Sequence, residues 1–148
     1  YGIACIAIYV NNFNLCLFAL GVNFLLILGF YVKPENEFFV WSFAASPKLF
    51  LQKKIKIALG QATALSLPML LLLSLFYPEH LLLITLVALL GLMYIVTFVV
   101  AKYGAFPNEM DLKEGILIAL SISIPPLVLV VIPYFYIKAK KQLYKYLL

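Results

Sequence analysis

The sequence predicts an all-α fold, a polytopic membrane helix bundle, and three observations carry that expectation. Four apolar stretches, Phe13–Val32, Ile55–Phe76, Leu81–Ala101 and Gly115–Ile137, each reach about the 20 residues that a helix needs to cross a bilayer core about 30 Å thick. No charged residue sits in the interior of any of them. Hydrophobic residues make up 66% of the chain and charged ones only 11%, whereas soluble domains are about a quarter charged. Proton relays, ion-coupled carriers and intramembrane enzymes need ionisable groups at depth, so their absence here argues against those classes.

Residues 1–10 are apolar, but as a helix they would extend only about 15 Å, half a membrane. No charged segment precedes them and no small-residue cleavage site follows, so they read as a truncated helix and not as a signal peptide. The expectation is a C-terminal portion of a longer protein. Asn11, Asn12 and Asn14 form a polar turn, after which residues 13–32 make the first full span. Asn23 inside it calls for a partner helix to satisfy its amide, since lipid offers no partner. Pro34 and the charges of Lys33, Glu35 and Glu37 then end the helix.

Residues 37–52 read as an interfacial segment. Phe38, Phe39, Trp41 and Phe43 are an aromatic cluster of the kind that settles among lipid headgroups. Ser46-Pro47 marks a helix start, with serine as the cap and proline at the first helical position. Lys53, Lys54 and Lys56 form a collar through which the second span, 55–76, enters the membrane. Within that span Gly60, Ala62, Ala64 and Ser66 offer small side chains for close helix approach, and Pro68 predicts a kink.

Tyr77-Pro78-Glu79-His80 is a tight polar turn that pairs the second and third spans as an antiparallel hairpin. A lone histidine there reads as an interfacial loop residue and not as a metal ligand. The third span, 81–101, ends in the interfacial pair Lys102-Tyr103. Glu109, Asp111 and Glu114 could suggest metal or acid–base chemistry, but acidic residues just ahead of an apolar run complement a helix N-terminus, so a solvated loop is expected. The fourth stretch, 115–137, is interrupted by Pro125-Pro126 and by Pro133, whose missing donors leave carbonyls for neighbouring helices to shelter. Lys138, Lys140, Lys141 and Lys145 anchor the tail at a membrane face.

Orienting the chain by its lysines produces a conflict. Both the Lys48–Lys56 cluster and the tail favour the cytoplasm, yet three spans between them would place them on opposite sides. Either the fourth stretch is a re-entrant hairpin with Pro125-Pro126 at its tip, or one cluster lies outside. The length of 115–137 favours a full span.

The basic residues are all lysine, which is a topology signal; nucleic-acid binding would call for a clustered basic face with arginines. Cys5 and Cys16 lack metal-ligand spacing and read as buried thiols. No glycine-rich phosphate loop, catalytic group, cofactor site or metal site is discernible. The lysine bias further suggests a bacterial cytoplasmic membrane.

Residues 37–56, followed by a proline-kinked span rich in small residues, resemble the permease subunits of ABC exporters of the type-2 class. In that family a cytoplasmic segment with a Pro/Ser turn, apolar residues and a lysine leads into a long helix; the corresponding features are Ser46-Pro47, Leu49-Phe50-Leu51 and Lys53-Lys54. The family's proline-containing last helix and short basic tail resemble Pro125-Pro126 and residues 137–141. The resemblance implies an ATP-driven exporter in which Ser46, Pro47, Phe50, Lys53 and Lys54 dock on a separate ATPase subunit. It also implies a second permease chain; contact with membrane lipid is expected from the apolar stretches, and no enzymatic activity from the missing catalytic groups. The competing expectation is a structural or assembly subunit of a larger membrane complex, with residues 46–54 only anchoring a loop.

Overall fold

The computed structural model describes residues 1–43 and 46–147, and among these every regular element is helical. The helices are α1 (Gly2–Tyr9), α2 (Phe13–Gly29), α3 (Glu37–Trp41), α4 (Pro47–Phe76), α5 (Leu81–Ala105), α6 (Leu112–Ser123) and α7 (Val128–Leu143). Positions 44 and 45 of the expected interfacial segment lie outside the described residues.

Local chemistry sets most boundaries. Asn11 takes a left-handed φ of 50°, which asparagine tolerates better than most residues, and so reverses the chain between α1 and α2. Asn12 then caps α2, its side chain accepting from the Leu15 amide at 3.1 Å. Asn36 caps α3 in the same way through the Phe38 amide. Ser46 occupies the cap position of α4 with Pro47 behind it, although the bond from the Leu49 amide is long at 3.5 Å. A single 3-10 turn at Pro78–His80 joins α4 to α5, and another at Pro125–Leu127 joins α6 to α7.

Two helices, Pro47–Phe76 and the continuous turn-plus-helix Pro78–Ala105, are long and apolar enough to cross a membrane. The expected second span begins earlier than its apolar pattern: α4 has 30 residues and takes in the lysine collar and the second half of the expected interfacial segment. Among the described residues, only α3, with five residues, remains of a separate element there. The expected first span stops at Gly29 after 17 residues.

The fourth stretch differs most from the expectation of a full span. Glu114 at the start of α6 pairs with Lys138 near the end of α7. The Tyr94 hydroxyl, at the midpoint of α5, donates to the Ser121 carbonyl near the end of α6 at 2.6 Å. Thus α6 descends from the lysine end to the level of Tyr94, the prolines turn the chain, and α7 returns packed against α5. At 12 and 16 residues, neither arm has the length of a span. Pro125 and Pro126 therefore form the tip of a hairpin, not a kink within a helix.

This fold-back brings the two lysine clusters to one end of the bundle. The start of α4 and the ends of α2, α5 and α7 converge at one end of the bundle, through contacts of Lys54 and Lys102 with Glu35 and of Gln142 with the Phe106 carbonyl. All eleven lysines lie at or beside this end. The opposite end holds the polar turn at Asn11-Asn12 and His80, whose ring stacks on Phe13 at 4.0 Å. Among the described residues, Glu79 is the one formally charged side chain there.

Helix α5 is central and packs against α2, α4 and α7. The α4 face toward the core is Ala58, Ala62, Ser66, Met69 and Leu73, a helical repeat of three and four residues. Gly60 falls off this face: a Cβ placed there meets nothing within 4 Å, so Gly60 makes no close approach inside this chain. The glycine that does is Gly91, where an added Cβ would sit 2.6 Å from the Phe24 ring of α2. Helix α4 continues through Pro68, whose missing N–H deprives the Ala64 carbonyl of its intrahelical donor. At this loosened turn the Tyr1 hydroxyl donates to the neighbouring Leu65 carbonyl.

Candidate functional site

The polar residues of the lysine end converge on Glu35. Pro34 keeps the chain out of helical geometry just after α2, so Glu35 sits on a short extended segment that crosses toward α4 and α5. Lys54, on the second turn of α4, donates to both carboxylate oxygens at 2.9 and 2.8 Å. The Tyr103 hydroxyl, on the last turn of α5, donates to the first of these oxygens at 2.9 Å. The Nζ of Lys102 lies 3.6 Å from the same oxygen, with its side chain only 8% exposed. Burial alone would push the Glu35 carboxyl up, but the Lys54 hydrogen bond and charge, the Tyr103 hydroxyl and the Lys102 charge together hold it below the ordinary carboxylate value.

Two ammonium groups thus share one carboxylate, and the cluster keeps a surplus positive charge. Beside it lies a cavity of about 160 Å³, which Tyr31 and Gln61 also line. The Tyr31 hydroxyl donates to Gln61 Oε1 at 2.6 Å, which turns the amide nitrogen of Gln61 away from that bond and leaves it a donor.

A band of aromatic rings underlies the charges. Phe43, Phe50, Tyr103, Phe106 and Tyr146 follow one another with centroid separations of 5.3, 5.1, 6.4 and 5.1 Å, three of the four contacts edge-to-face. Lys53 lies over the Phe43 ring at 4.7 Å and Lys54 over Phe50 at 5.5 Å. The band ties α4, α5 and the tail together, so Lys54 and Tyr103 meet the segment that carries Glu35 from packed helices.

A second pair clamps the hairpin. Glu114, 5% exposed, meets Lys138, while its other carboxylate oxygen is buried without a hydrogen-bond partner. Burial works against ionisation, yet the Lys138 hydrogen bond, the backbone donors at the start of α6 and the Lys138 charge outweigh it and lower the Glu114 carboxyl. The expected solvated loop is therefore wrong for this residue. Asp111 does occupy the α6 cap position, without a side-chain capping bond.

The residues expected to dock a partner divide into two groups. Lys53 is exposed and available. Ser46 is exposed but serves as the α4 cap. Pro47 and Phe50 are buried, Phe50 completely, wedged between Phe43 and Tyr103. Lys54 is committed to Glu35. Phe50 and Lys54 thus hold the bundle together from within, and the exposed neighbours Lys48, Leu49 and Lys53 form the outward face of the same turns. The amide nitrogen of Asn23 is buried without a partner, so the partner helix expected for it is not among the described residues of this chain. Cys16 is buried, as expected for an inert thiol, whereas Cys5 is exposed. No metal-holding group of three or more ligands occurs among the described residues.

Searches of family models, curated proteins and solved structures return no match to this chain. The site must therefore be read from its own chemistry.

Sequence reasoning gave the residues of these clusters separate roles, Glu35 as a helix end, Lys102-Tyr103 as an interfacial pair, Glu114 as a loop acid and Lys138 as a tail anchor, and joined none of them, nor Tyr31 or Gln61, into one site. A usable signal existed in the alternation of helix direction. Glu35 follows an ascending helix, Lys54 opens a descending one and Lys102 closes the next ascending one, so all three fall at one level. The Glu114–Lys138 pair carried no such signal until the hairpin placed its two ends together.

Proposed function

We propose that the chain is an integral membrane protein with its lysine end on the cytoplasmic side. In this reading α2, α4 and α5 cross the bilayer, and the α6–α7 hairpin enters from the cytoplasmic face to mid-depth. The sorting of all eleven lysines to one end is the observation that carries it, because lysine-rich connections stay on the cytoplasmic side. The outward faces add support. Only 22% and 33% of the most apolar windows of the two long helices are buried inside the bundle, where the core helix of a soluble protein would be mostly covered. Leu75 and Leu82 are 76% and 75% exposed, as side chains meeting lipid tails would be.

Within that frame we read the chain as the permease component of an ATP-driven exporter. The resemblance of residues 37–56 to such permeases supports this reading. The outward face of the first α4 turns, Lys48, Leu49 and Lys53, would meet an acidic surface on a separate ATPase subunit, and a second permease chain would cover part of the apolar perimeter. One observation favours the competing reading of a structural subunit: the internal commitment of Phe50 and Lys54, which leaves a smaller docking face than the resemblance implies.

Two measurements test these proposals separately. Single cysteines replacing Lys48, Glu79 and Lys140, in a chain with Cys5 and Cys16 changed to serine, are exposed to a membrane-impermeant maleimide on intact cells. Glu79→Cys is expected to label directly, and the other two only after permeabilisation. Labelling of Lys48→Cys and Lys140→Cys from opposite sides would overturn the topology. Cross-linking from Lys48 and Lys53 then distinguishes the functions: an ATPase subunit supports the permease, and exclusively membrane partners support the structural subunit.

A further inference from the structure

We infer that the cavity at Lys54 and Lys102, together with the groove between α2 and α4, is a binding site for an anionic phospholipid. This rests on the membrane reading above. The phosphodiester would occupy the cavity, and an acyl chain would lie along the groove.

The formal charge of the chamber, two lysines against one carboxylate, favours an anion. Glu35 has both oxygens engaged, one by Lys54 and Tyr103 and the other by Lys54. Lys102 is left with a 3.6 Å approach to an oxygen already bonded twice, so a second acceptor beside it would be strongly favoured. An ammonium or choline headgroup would meet the same surplus positive charge and no free carboxylate, which selects a lipid whose only charge is the phosphate. Gln61, whose Oε1 accepts from the Tyr31 hydroxyl, lines the same cavity.

The shape requires a tail on that anion. The Tyr31–Gln61 pair that walls the cavity also opens a groove of about 520 Å³, whose other lining residues are Ile27, Phe30, Ala64 and Leu65. Every one of these four is apolar. Moving from Lys54 through Gln61 to Leu65 follows α4 away from the lysine end, toward the middle of the bundle. Polar chamber and apolar groove are therefore arranged in the order of a lipid standing in the cytoplasmic leaflet, its phosphate at the level of the lysines. A free phosphate ion would use the chamber and ignore the groove.

The test uses the full chain purified in a delipidating detergent, with native mass spectrometry and thermal unfolding as readouts. Dioleoyl phosphatidylglycerol is expected to bind roughly tenfold more tightly than dioleoyl phosphatidylcholine, the difference contributed by one charge-assisted contact. Lys102→Met should remove that preference. Ala64→Phe, at an exposed groove position that leaves every charge in place, should weaken both lipids and keep the fold. Equal affinity for the two lipids, or an unchanged preference in Lys102→Met, overturns the site. If inorganic phosphate alone reproduces the thermal stabilisation, the site is an anion site and the lipid assignment fails. Alkaline carbonate extraction of membranes separates this from the membrane reading. A protein that resists extraction and shows no lipid preference loses the site alone; a protein washed off loses both.

Discussion

Replacing Glu35 with glutamine probes the centre of the lysine end most directly. The substitution keeps shape and some hydrogen bonding but removes the one charge that faces both Lys54 and Lys102. Breaking one partner of a fully buried ion pair costs about 3–5 kcal/mol. The Lys54 and Glu35 side chains are 23% and 31% exposed, so solvent screening reduces the expected loss to about 2 kcal/mol. For a chain of this size that is about 6 °C in the unfolding midpoint. The assay is thermal unfolding of delipidated protein in mild detergent, followed by circular dichroism. The double variant E35Q/K102M removes one of the stranded cations and should regain about half the loss, a coupling that a merely steric effect would not produce. If E35Q melts within about 1 °C of the parent, or the double variant is less stable than E35Q, then the carboxylate does not organise this end of the bundle.

Three further outcomes are expected. Glu35 and Glu114 are both held below the ordinary value of 4.5, and a carboxylate depressed in the folded state contributes stability that is present above its unfolded value and lost as pH falls through the folded one. The unfolding midpoint should therefore fall as pH drops below 4.5, and E35Q combined with E114Q should flatten that dependence; an equally steep acid limb in the double variant would assign it to other groups. Gly91→Ala places a Cβ 2.6 Å from the Phe24 ring and should cost about 1–3 kcal/mol, relieved when Phe24 is shortened to leucine; an unchanged midpoint would mean that the ring moves aside freely. Finally, Glu114→Cys with Lys138→Cys, in the serine-substituted background, should be joined within one chain by a short bismaleimide. A single straight helix would hold those positions about 36 Å apart, so failure to cross-link argues for a full span.

How much of this was legible in the sequence differs from element to element. The cap-and-proline pair at Ser46-Pro47 and the turn at residues 77–80 could be read directly, because each is decided by the residues that form it. The α4 start was legible and its length was not: Lys53, Lys54 and Lys56 interrupt the apolar pattern, yet at the end of a bundle long lysine side chains reach ions and ring faces without breaking the helix. Pro125-Pro126 admitted both a kinked span and a hairpin, and local chemistry cannot choose between them. The choice lies in Glu114 meeting Lys138 and Tyr94 meeting Ser121, contacts between segments that a linear pattern does not relate. Phe50 was misread because an aromatic residue in a lysine-rich run suits an exposed anchor as well as a buried wedge. Only the ring of Tyr103, arriving from α5, shows which it is.

The half-length hairpin also fixes the outline of the molecule. Among the described residues, five helices, α2, α4, α5, α6 and α7, share the cross-section near the lysine end and four, α1, α2, α4 and α5, toward the other, because α6 and α7 turn back near Tyr94. A helix with its side chains is about 10–12 Å across and so occupies on the order of 100 Å² in plan. In a bilayer, with the lysine end on the cytoplasmic side as proposed, the protein would displace about one helix's worth more area from the cytoplasmic leaflet than from the outer one. Such a taper makes it a wedge, relaxed where the two leaflets differ in packing and strained where they do not, so that its surroundings and its own shape would bias each other.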